Sequence, residues 1–341
     1  MKWSRELRVA RRSIRTALKA ASAIAASNVV APPETRHSTL FEVTGFGSNP
    51  GRLRMFLYVP EPPPRPGAPL IVVLHGCGQH AASFASAAGW MAQADRIGAP
   101  LLLPEQVSEN NRGRCFNWFR PARIRRGSGE AASIRQMVTA AHARLGTDPR
   151  RVFVVGLSAG GAMAAALLAA YPDIFAAGAV VGGTPVGVAT SVASAFNQMA
   201  HAAPALSAEA LAARVRDAGP VHYAGAWPRI SLWQGGADQT VAPGNVGALA
   251  RQWTALHGFA TDTVPRHPPR PGGAPPLLGK DRGGLDDRRN GARVSVHPSG
   301  RGSVRAASAR GWGSADHALL GSVSRVINAS PRPRRSPGRH R

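Results

Sequence analysis

The five residues Gly156-Leu157-Ser158-Ala159-Gly160 constrain this chain more than any others. An apolar run, residues 152–155, precedes them, and residues 162–170, rich in good helix formers, follow. A serine on a tight turn between strand and helix has a strained backbone. Neighbours without side chains let the strand and the helix close around it. The turn also puts the Ala159 N–H at a helix start, where it can stabilise a developing oxyanion. A chain with 38 glycines meets Gly-x-Ser-x-Gly by chance as a small-residue turn. The strand before and the helix after favour a nucleophile elbow, with Ser158 as nucleophile and Ala159 as an oxyanion donor.

Strand and helix patterns alternate on both sides of the elbow. Residues 41–46 and 53–59 read as a strand pair around a Ser48-Asn49-Pro50-Gly51 turn. A proline-rich loop, 60–66, leads to a buried-strand pattern at 69–74. Residues 83–97 read as a helix, 100–103 as a short strand, and 130–145 as a helix with Ser128 at its N-cap. Beyond the elbow come a strand at 178–181, an Ala-rich and helical 185–219 where a cap is expected, a strand at 229–233 and a helix at 244–257. This alternation predicts an α/β fold with a mostly parallel central sheet and helices on both faces.

The net charge of +24 suggests a nucleic-acid partner only if it is spread over the fold. It is not. Residues 1–40 hold 8 Lys and Arg against 2 acidic residues, and residues 264–341 hold 16 against 4. Residues 41–263 are therefore an ordinary, mildly basic domain between two basic ends. Residues 264–341 contain one aromatic residue, Trp312, among dense Arg, Pro, Gly and Ala, and are expected to be a mostly disordered tail. Within that tail only residues 315–328 read as a short helix or strand. The N-terminal arm has two readings of equal standing: a weak signal-like segment, or a basic amphipathic or disordered arm. No apolar run reaches the roughly 18 residues of a membrane span.

An acyl-transfer site needs a base, a group to orient it and a second oxyanion donor. His75-Gly76-Cys77-Gly78-Gln79 follows a strand where a second oxyanion N–H is expected, that of Cys77. His75 reads as structural, because its loop runs beneath the site. Asp238, in a loop after the 229–233 strand, suits the acid in chain order and is also a natural turn residue. The base is harder to find. His257 lies at a helix end, and His267, His297, His317 and His340 lie in the tail after no convincing strand. Cys77 and Cys115 form one bridge or remain two buried thiols, too few for a zinc site or a disulfide scaffold.

Several segments together resemble the poly(3-hydroxybutyrate) depolymerase family of esterases, which are α/β-hydrolases related to feruloyl and acetylxylan esterases. They are residues 74–79 (LHGCGQ), 114–119 (RCFNWF), 129–137 (GEAASIRQM), 156–163 (GLSAGGAM), 171–176 (YPDIFA) and the Asp238 loop. The resemblance covers residues 41–263. It implies Ser158 as nucleophile, Asp238 as acid, and Cys77 and Ala159 as oxyanion donors. It also implies a Cys77–Cys115 bridge, and a cleft lined by Trp118 and Asn117, although Trp118 reads nearly as well as a core aromatic. Members of the family carry the catalytic histidine in a Gly-x-Gly-His segment, whereas here Gly311-Trp312-Gly313 is followed by Ser314. With the change of composition after Thr263, this leads us to expect a slip of reading frame at residues 263–269. Translating the two alternative frames of the gene checks it: a strand ending in Gly-His is the expected result, and its absence from both disproves the slip.

The resemblance implies a serine carboxylic-ester hydrolase acting on short-chain 3-hydroxyalkanoate polyesters or oligomers, extracellular or periplasmic, or else cytoplasmic. No metal or other cofactor and no specific nucleic acid is implied. Three alternatives remain: a feruloyl- or acetylxylan-type esterase, an esterase impaired by a missing histidine, and a protein binding polyanions or membrane surfaces through its basic ends.

Overall fold

The two N-terminal strand patterns become β1 (Thr39–Val43) and β2 (Arg54–Val59), an antiparallel pair in the computed structural model. The structure describes residues 39–202, 206–259, 284–287 and 292–299, the last two segments by backbone alone. The apolar run at 69–74 becomes β3 (Leu70–Leu74). Residues 83–97 give two helices instead of one, α1 (Ala81–Ala87) and α2 (Trp90–Ile97). Gly89, with φ 72°, breaks them apart in a left-handed conformation that a helix interior does not hold.

Next come β4 (Leu101–Glu105), the single turn α3 (Pro121–Ile124) and the long α4 (Gly129–Leu145). Ser128 occupies the N-cap position of α4 but makes no side-chain cap, its hydroxyl donating instead to the Arg125 carbonyl. The elbow joins β5 (Val152–Leu157) to α5 (Ala159–Ala170), and β6 (Phe175–Val181) starts three residues earlier than its sequence pattern. The Ala-rich segment holds α6 (Val192–His201) and α7 (Ala208–Ala218). Then follow β7 (Arg229–Gly235) and α8 (Gly244–Leu256).

Two more strands, β8 (Gly284–Asp287) and β9 (Ala292–Ser299), correct the boundary drawn at residue 263. They lie in the segment expected to be mostly a disordered tail, yet β9 pairs in parallel with β7 and β8 lies antiparallel beyond it. The signal was present: Ala292, Val294 and Val296 alternate with Arg293, Ser295 and His297. Arginine- and proline-rich surroundings hid it. The expected element at 315–328 and the N-terminal arm up to residue 38 lie outside the described residues.

The sheet runs in the order β1-β2-β4-β3-β5-β6-β7-β9-β8. Strands β4, β3, β5, β6, β7 and β9 are mutually parallel. Helices cover both faces, which explains why the central strands read as unbroken apolar runs. Along β3, Leu70, Val72 and Leu74 enter one core with residues of α4, α5, α7 and α8, while Ile71 and Val73 enter the other with α1 and α2. All twelve residues of α5 are buried, and its many alanines and glycines let that helix lie tight against the sheet. Parallel strands share one carboxyl edge. Ser158, Cys77 and Asp238 all lie in loops at that edge, after β5, β3 and β7.

Candidate active site

Ser158 leaves β5 with φ 55° and ψ −118°, a strained conformation for a residue with a side chain. Its N–H donates to the Val181 carbonyl at 2.8 Å, tying the elbow to the end of β6. The glycines around it are required by space. A Cβ on Gly156 would lie 2.1 Å from the Gly160 oxygen, and one on Gly160 would lie 2.4 Å from the Leu74 oxygen. Ala159 opens α5, so its N–H has no partner within the helix and faces outward from the helix start.

The loop after β3 passes directly beside the elbow: a Cβ on Gly76 would lie 3.6 Å from Ser158 Cβ. Four ties hold it. The Gly76 N–H donates to Gln79 Oε1 at 2.7 Å, and the Gly78 N–H donates to the Gly113 carbonyl at 2.8 Å. The Gly76 carbonyl accepts from the His75 ring, and Cys77 is bonded to Cys115 in a disulfide. Cysteine pairing, open at the level of residues, is thus decided by the fold. The bridge spans 38 residues, and in the chain-entropy model a loop of that size is worth about 4 kcal/mol. Between these ties the Cys77 N–H has no acceptor among the described residues.

Asp238 sits in the turn after β7, half-buried. Its Oδ1 accepts from the N–H groups of Thr240 and Val241, both at 2.9 Å, and its Oδ2 accepts from Gln234 Nε2 at 3.1 Å. Oδ2 would lie 3.5 Å from a Cβ on Gly182, the residue that follows β6. The carboxylate is therefore clamped on one oxygen by two backbone amides, and its other oxygen lies towards the end of the neighbouring strand.

A third apolar cluster roofs the elbow: Trp118, Phe119, Ala159, Ala162, Ala189 and Ala195, with Cys77, Cys115 and Met199 packed against it. The cap helix α6 thus meets the elbow through alanines and Trp118. That helix is in turn locked to α8: Gln198 Nε2 donates to Asn245 Oδ1 at 2.7 Å, and Asn245 Nδ2 donates back to the Gln198 carbonyl. Trp118 is 7% exposed, so nearly all of it is packed within this cluster.

Asn117 is placed otherwise than as a cleft residue. It is buried, its Nδ2 donates to Glu130 Oε1 at 2.6 Å, and its Oδ1 accepts from Asn111 Nδ2. Its polar atoms hold the Trp118 loop in place from below. The Glu130 carboxylate, at the start of α4, also accepts from the Asn117 N–H and from Gln106 Nε2, so three donors converge on one fully buried acid. Sequence reading passed over Glu130, Gln106 and Gln79. Glu130 and Gln79 stand within the segments that carry the resemblance and Gln106 three residues after the 100–103 strand, but no spacing rule marks a buried acid.

Burial pushes the Glu130 carboxyl above its ordinary value of 4.5, against the hydrogen bonds that favour its charge. A raised carboxyl pKa contributes stability that is fully present below about 4.5 and is lost as pH rises through the folded value. Glu130→Gln also sets an amide N–H against the incoming donors, which costs about 1–3 kcal/mol. The variant is therefore expected to be most destabilised near pH 4, with the deficit shrinking towards pH 8. Urea unfolding of both proteins across that range checks this, and a deficit that grows with pH contradicts it.

The histidines divide clearly. His75 is buried with both ring nitrogens engaged, by Gly76 and Gln106. His257, at the C-cap of α8, is held down to about 4 by burial and stacks near Trp253 and Phe259. His80 contacts Arg114, His142 contacts Thr147, and His201 contacts the Asn197 carbonyl. None of them bonds to Ser158 or Asp238. His297 lies in β9 at the register position opposite Trp233. His267, His317 and His340 lie outside the described residues.

Among known proteins, a family model described as esterase PHB depolymerase matches residues 53–270. The chain is 40% identical over 269 residues to poly(3-hydroxyalkanoate) depolymerase C of Paucimonas lemoignei, covering 79% of this chain and 64% of the relative. It is 31% identical over 239 residues to feruloyl esterase B of Talaromyces funiculosus, covering 67% of this chain and 65% of the relative. The chain thus spans a little under two thirds of the length of either. The solved structure of an acetyl xylan esterase from Aspergillus awamori superimposes with a TM-score of 0.64 at 21% identity, covering 83% of this chain and 99% of that one. The shared fold is that of the α/β-hydrolases. Among the described residues no helix is long and apolar enough to cross a membrane.

Proposed function

The chain belongs to the esterase PHB depolymerase family, and from that premise we propose that it is a serine carboxylic-ester hydrolase. One observation carries the reading: Ser158 stands on a positive-φ elbow beside the Cys77 loop, and the N–H groups of Ala159 and Cys77 have no acceptor among the described residues. In the first step Ser158 Oγ attacks the ester carbonyl carbon as a base removes its proton. The carbonyl electrons move to oxygen, and the N–H groups of Cys77 and Ala159 hold that charge. Collapse expels the alcohol, which takes up the proton, and leaves an acyl-serine. Water, deprotonated by the same base, then releases the acid.

Asp238 orients the base. Its clamped Oδ1 fixes the carboxylate, which leaves Oδ2 to receive an imidazole N–H. Strand β9 is parallel to β7, so its last residue, Ser299, lies at the carboxyl edge of the sheet, the edge of the Asp238 loop. The sequence after Ser299 carries His317 and His340 and no Gly-x-Gly-His.

The substrate class is short-chain 3-hydroxyalkanoate polyesters or their oligomers, as the name of the Paucimonas relative suggests. The apolar roof of Trp118, Met199 and alanines suits a small aliphatic acyl group and offers no carboxylate or cation to a charged one. The disulfide supports an extracellular or periplasmic location, where such bonds persist. The test is a panel of 3-hydroxybutyrate dimer and trimer, acetylated xylan and methyl ferulate, with a fluorophosphonate adduct mapped by mass spectrometry. The expected result is the highest kcat/KM on the 3-hydroxybutyrate oligomers and a single adduct on Ser158. Faster release of acetate or ferulate overturns the substrate class. No release and no adduct overturns the esterase.

A further inference from the structure

The reaction above leaves unused the buried imidazole of His75, which is wired to the oxyanion loop. The ring is fully buried, 4.9 Å from the ring of Phe116. Its Nε2 accepts from the Gln106 N–H at 3.1 Å, so the ring proton sits on Nδ1, which donates to the Gly76 carbonyl at 2.7 Å. Burial holds the ring down to about 4, so it is neutral and keeps this tautomer across the working range of an esterase.

The Gly76 carbonyl and the Cys77 N–H belong to the same peptide unit. In a trans peptide these two groups point in opposite directions. A donor that holds the carbonyl on one side therefore aims the N–H to the other. The linkage needs such a lock, because glycine crosses between backbone conformations that other residues resist. Rotated about its flanking bonds, this peptide would present a carbonyl to the oxyanion instead of an N–H, and attraction would become repulsion. Gln79 fixes the Gly76 N–H, which belongs to the preceding peptide, and Cys115 fixes the Cys77 side chain. Apart from a long contact from the Gln79 N–H at 3.4 Å, among the described residues only His75 fixes the carbonyl.

We propose that His75 is a positioning residue: its Nδ1–H locks the Gly76–Cys77 peptide with the Cys77 N–H facing the ester oxygen. Gln106 sets the tautomer from behind, and Gln106 is itself bonded through Nε2 to Glu130 at 2.9 Å. A line of hydrogen bonds thus runs from the buried acid of α4 to the oxyanion donor. This inference rests on the esterase reading of Ser158.

Two measurements test it. In the unaltered protein labelled with nitrogen-15 histidine, long-range proton–nitrogen NMR is expected to show His75 in the Nδ1–H tautomer, and the Nε2–H form overturns the proposal. The second is the kinetics of a short-chain p-nitrophenyl ester with two variants. Asparagine can place an N–H where Nδ1 was, whereas glutamine reaches the Nε2 position instead. His75→Gln is expected to lower kcat tenfold or more with KM changed less than twofold, since the lost donor acts on the transition state. His75→Asn is expected to lose less than a third of that factor. Equal losses in both variants, or a loss carried by KM, overturn the positioning role. Absence of any Ser158-dependent turnover in the unaltered chain overturns the esterase reading as well, whereas unchanged kcat in both variants beside an active parent overturns this inference alone.

Discussion

Ser158→Ala is expected to lower kcat/KM for a short-chain p-nitrophenyl ester by about 10⁴–10⁶ while leaving the unfolding transition in place. The size follows from the chemistry. Without Oγ no acyl-enzyme forms, and what remains is water attacking an ester polarised by the Cys77 and Ala159 N–H groups. Stability should not suffer, because the Ser158 contact seen in the structure runs through its backbone N–H to Val181 and survives the change. Relief of strain does not follow either, since alanine is no more at ease than serine at φ 55°. A fall of the expected size means that a working base reaches Asp238. A fall of tenfold or less, from weakly active and fully folded protein, means that nucleophile, acid and oxyanion hole stand without a base. That outcome would point to the reading frame beyond Thr263.

Gly160→Ala is expected to have the largest effect on stability, more than about 4 kcal/mol or loss of soluble protein. The added Cβ would lie 2.4 Å from the Leu74 oxygen, 2.5 Å from the His75 oxygen and 2.7 Å from the Leu74 carbonyl carbon. All three are backbone atoms of β3 and its loop, so no side chain can swing aside. The only relief is to drive α5 away from the sheet. That opens the core around its buried residues and moves the oxyanion loop off the elbow. Gly247→Ala is the control. It lies in α8, where the nearest atom to a new Cβ is Arg251 Nη1 at 3.9 Å, and alanine there is expected to stabilise by about 0.5–1 kcal/mol. Urea unfolding of the two variants separates a steric cause from a general intolerance of alanine. Similar midpoints for both would refute the close approach of β3 and α5.

The readable parts of this chain were those in which local sequence and tertiary role coincide. Strands β3, β5 and β7 are covered on both faces, so burial demanded apolar residues at nearly every position and left a continuous signal. The helix break at Gly89 was less legible, because a glycine within an apolar pattern reads equally well as helix interior. β9 was hidden for the opposite reason: its alternation is plain, but its eight residues lie within a long segment whose Arg, Pro and Gly content signals disorder. Asn117 illustrates a further limit. A polar residue beside a tryptophan in a loop looks like a ligand contact, and only three-dimensional packing reveals the buried Glu130 that occupies it.

The elbow, the parallel α/β order and the family were all legible along the chain, since each rests on neighbours in it: a glycine next to a serine, an apolar run before a helix. Tertiary structure alone decided what lies across the chain. It bonded Cys77 to Cys115 over 38 residues, and brought Gln106, from the end of β4, against His75 at the end of β3. It also ended β9 at the same edge as β7. Spacing along a chain records the hydrogen bonds and turns that adjacent residues must satisfy. It records nothing of which distant donor meets a buried acceptor, because that choice is made only when strands pair and water leaves.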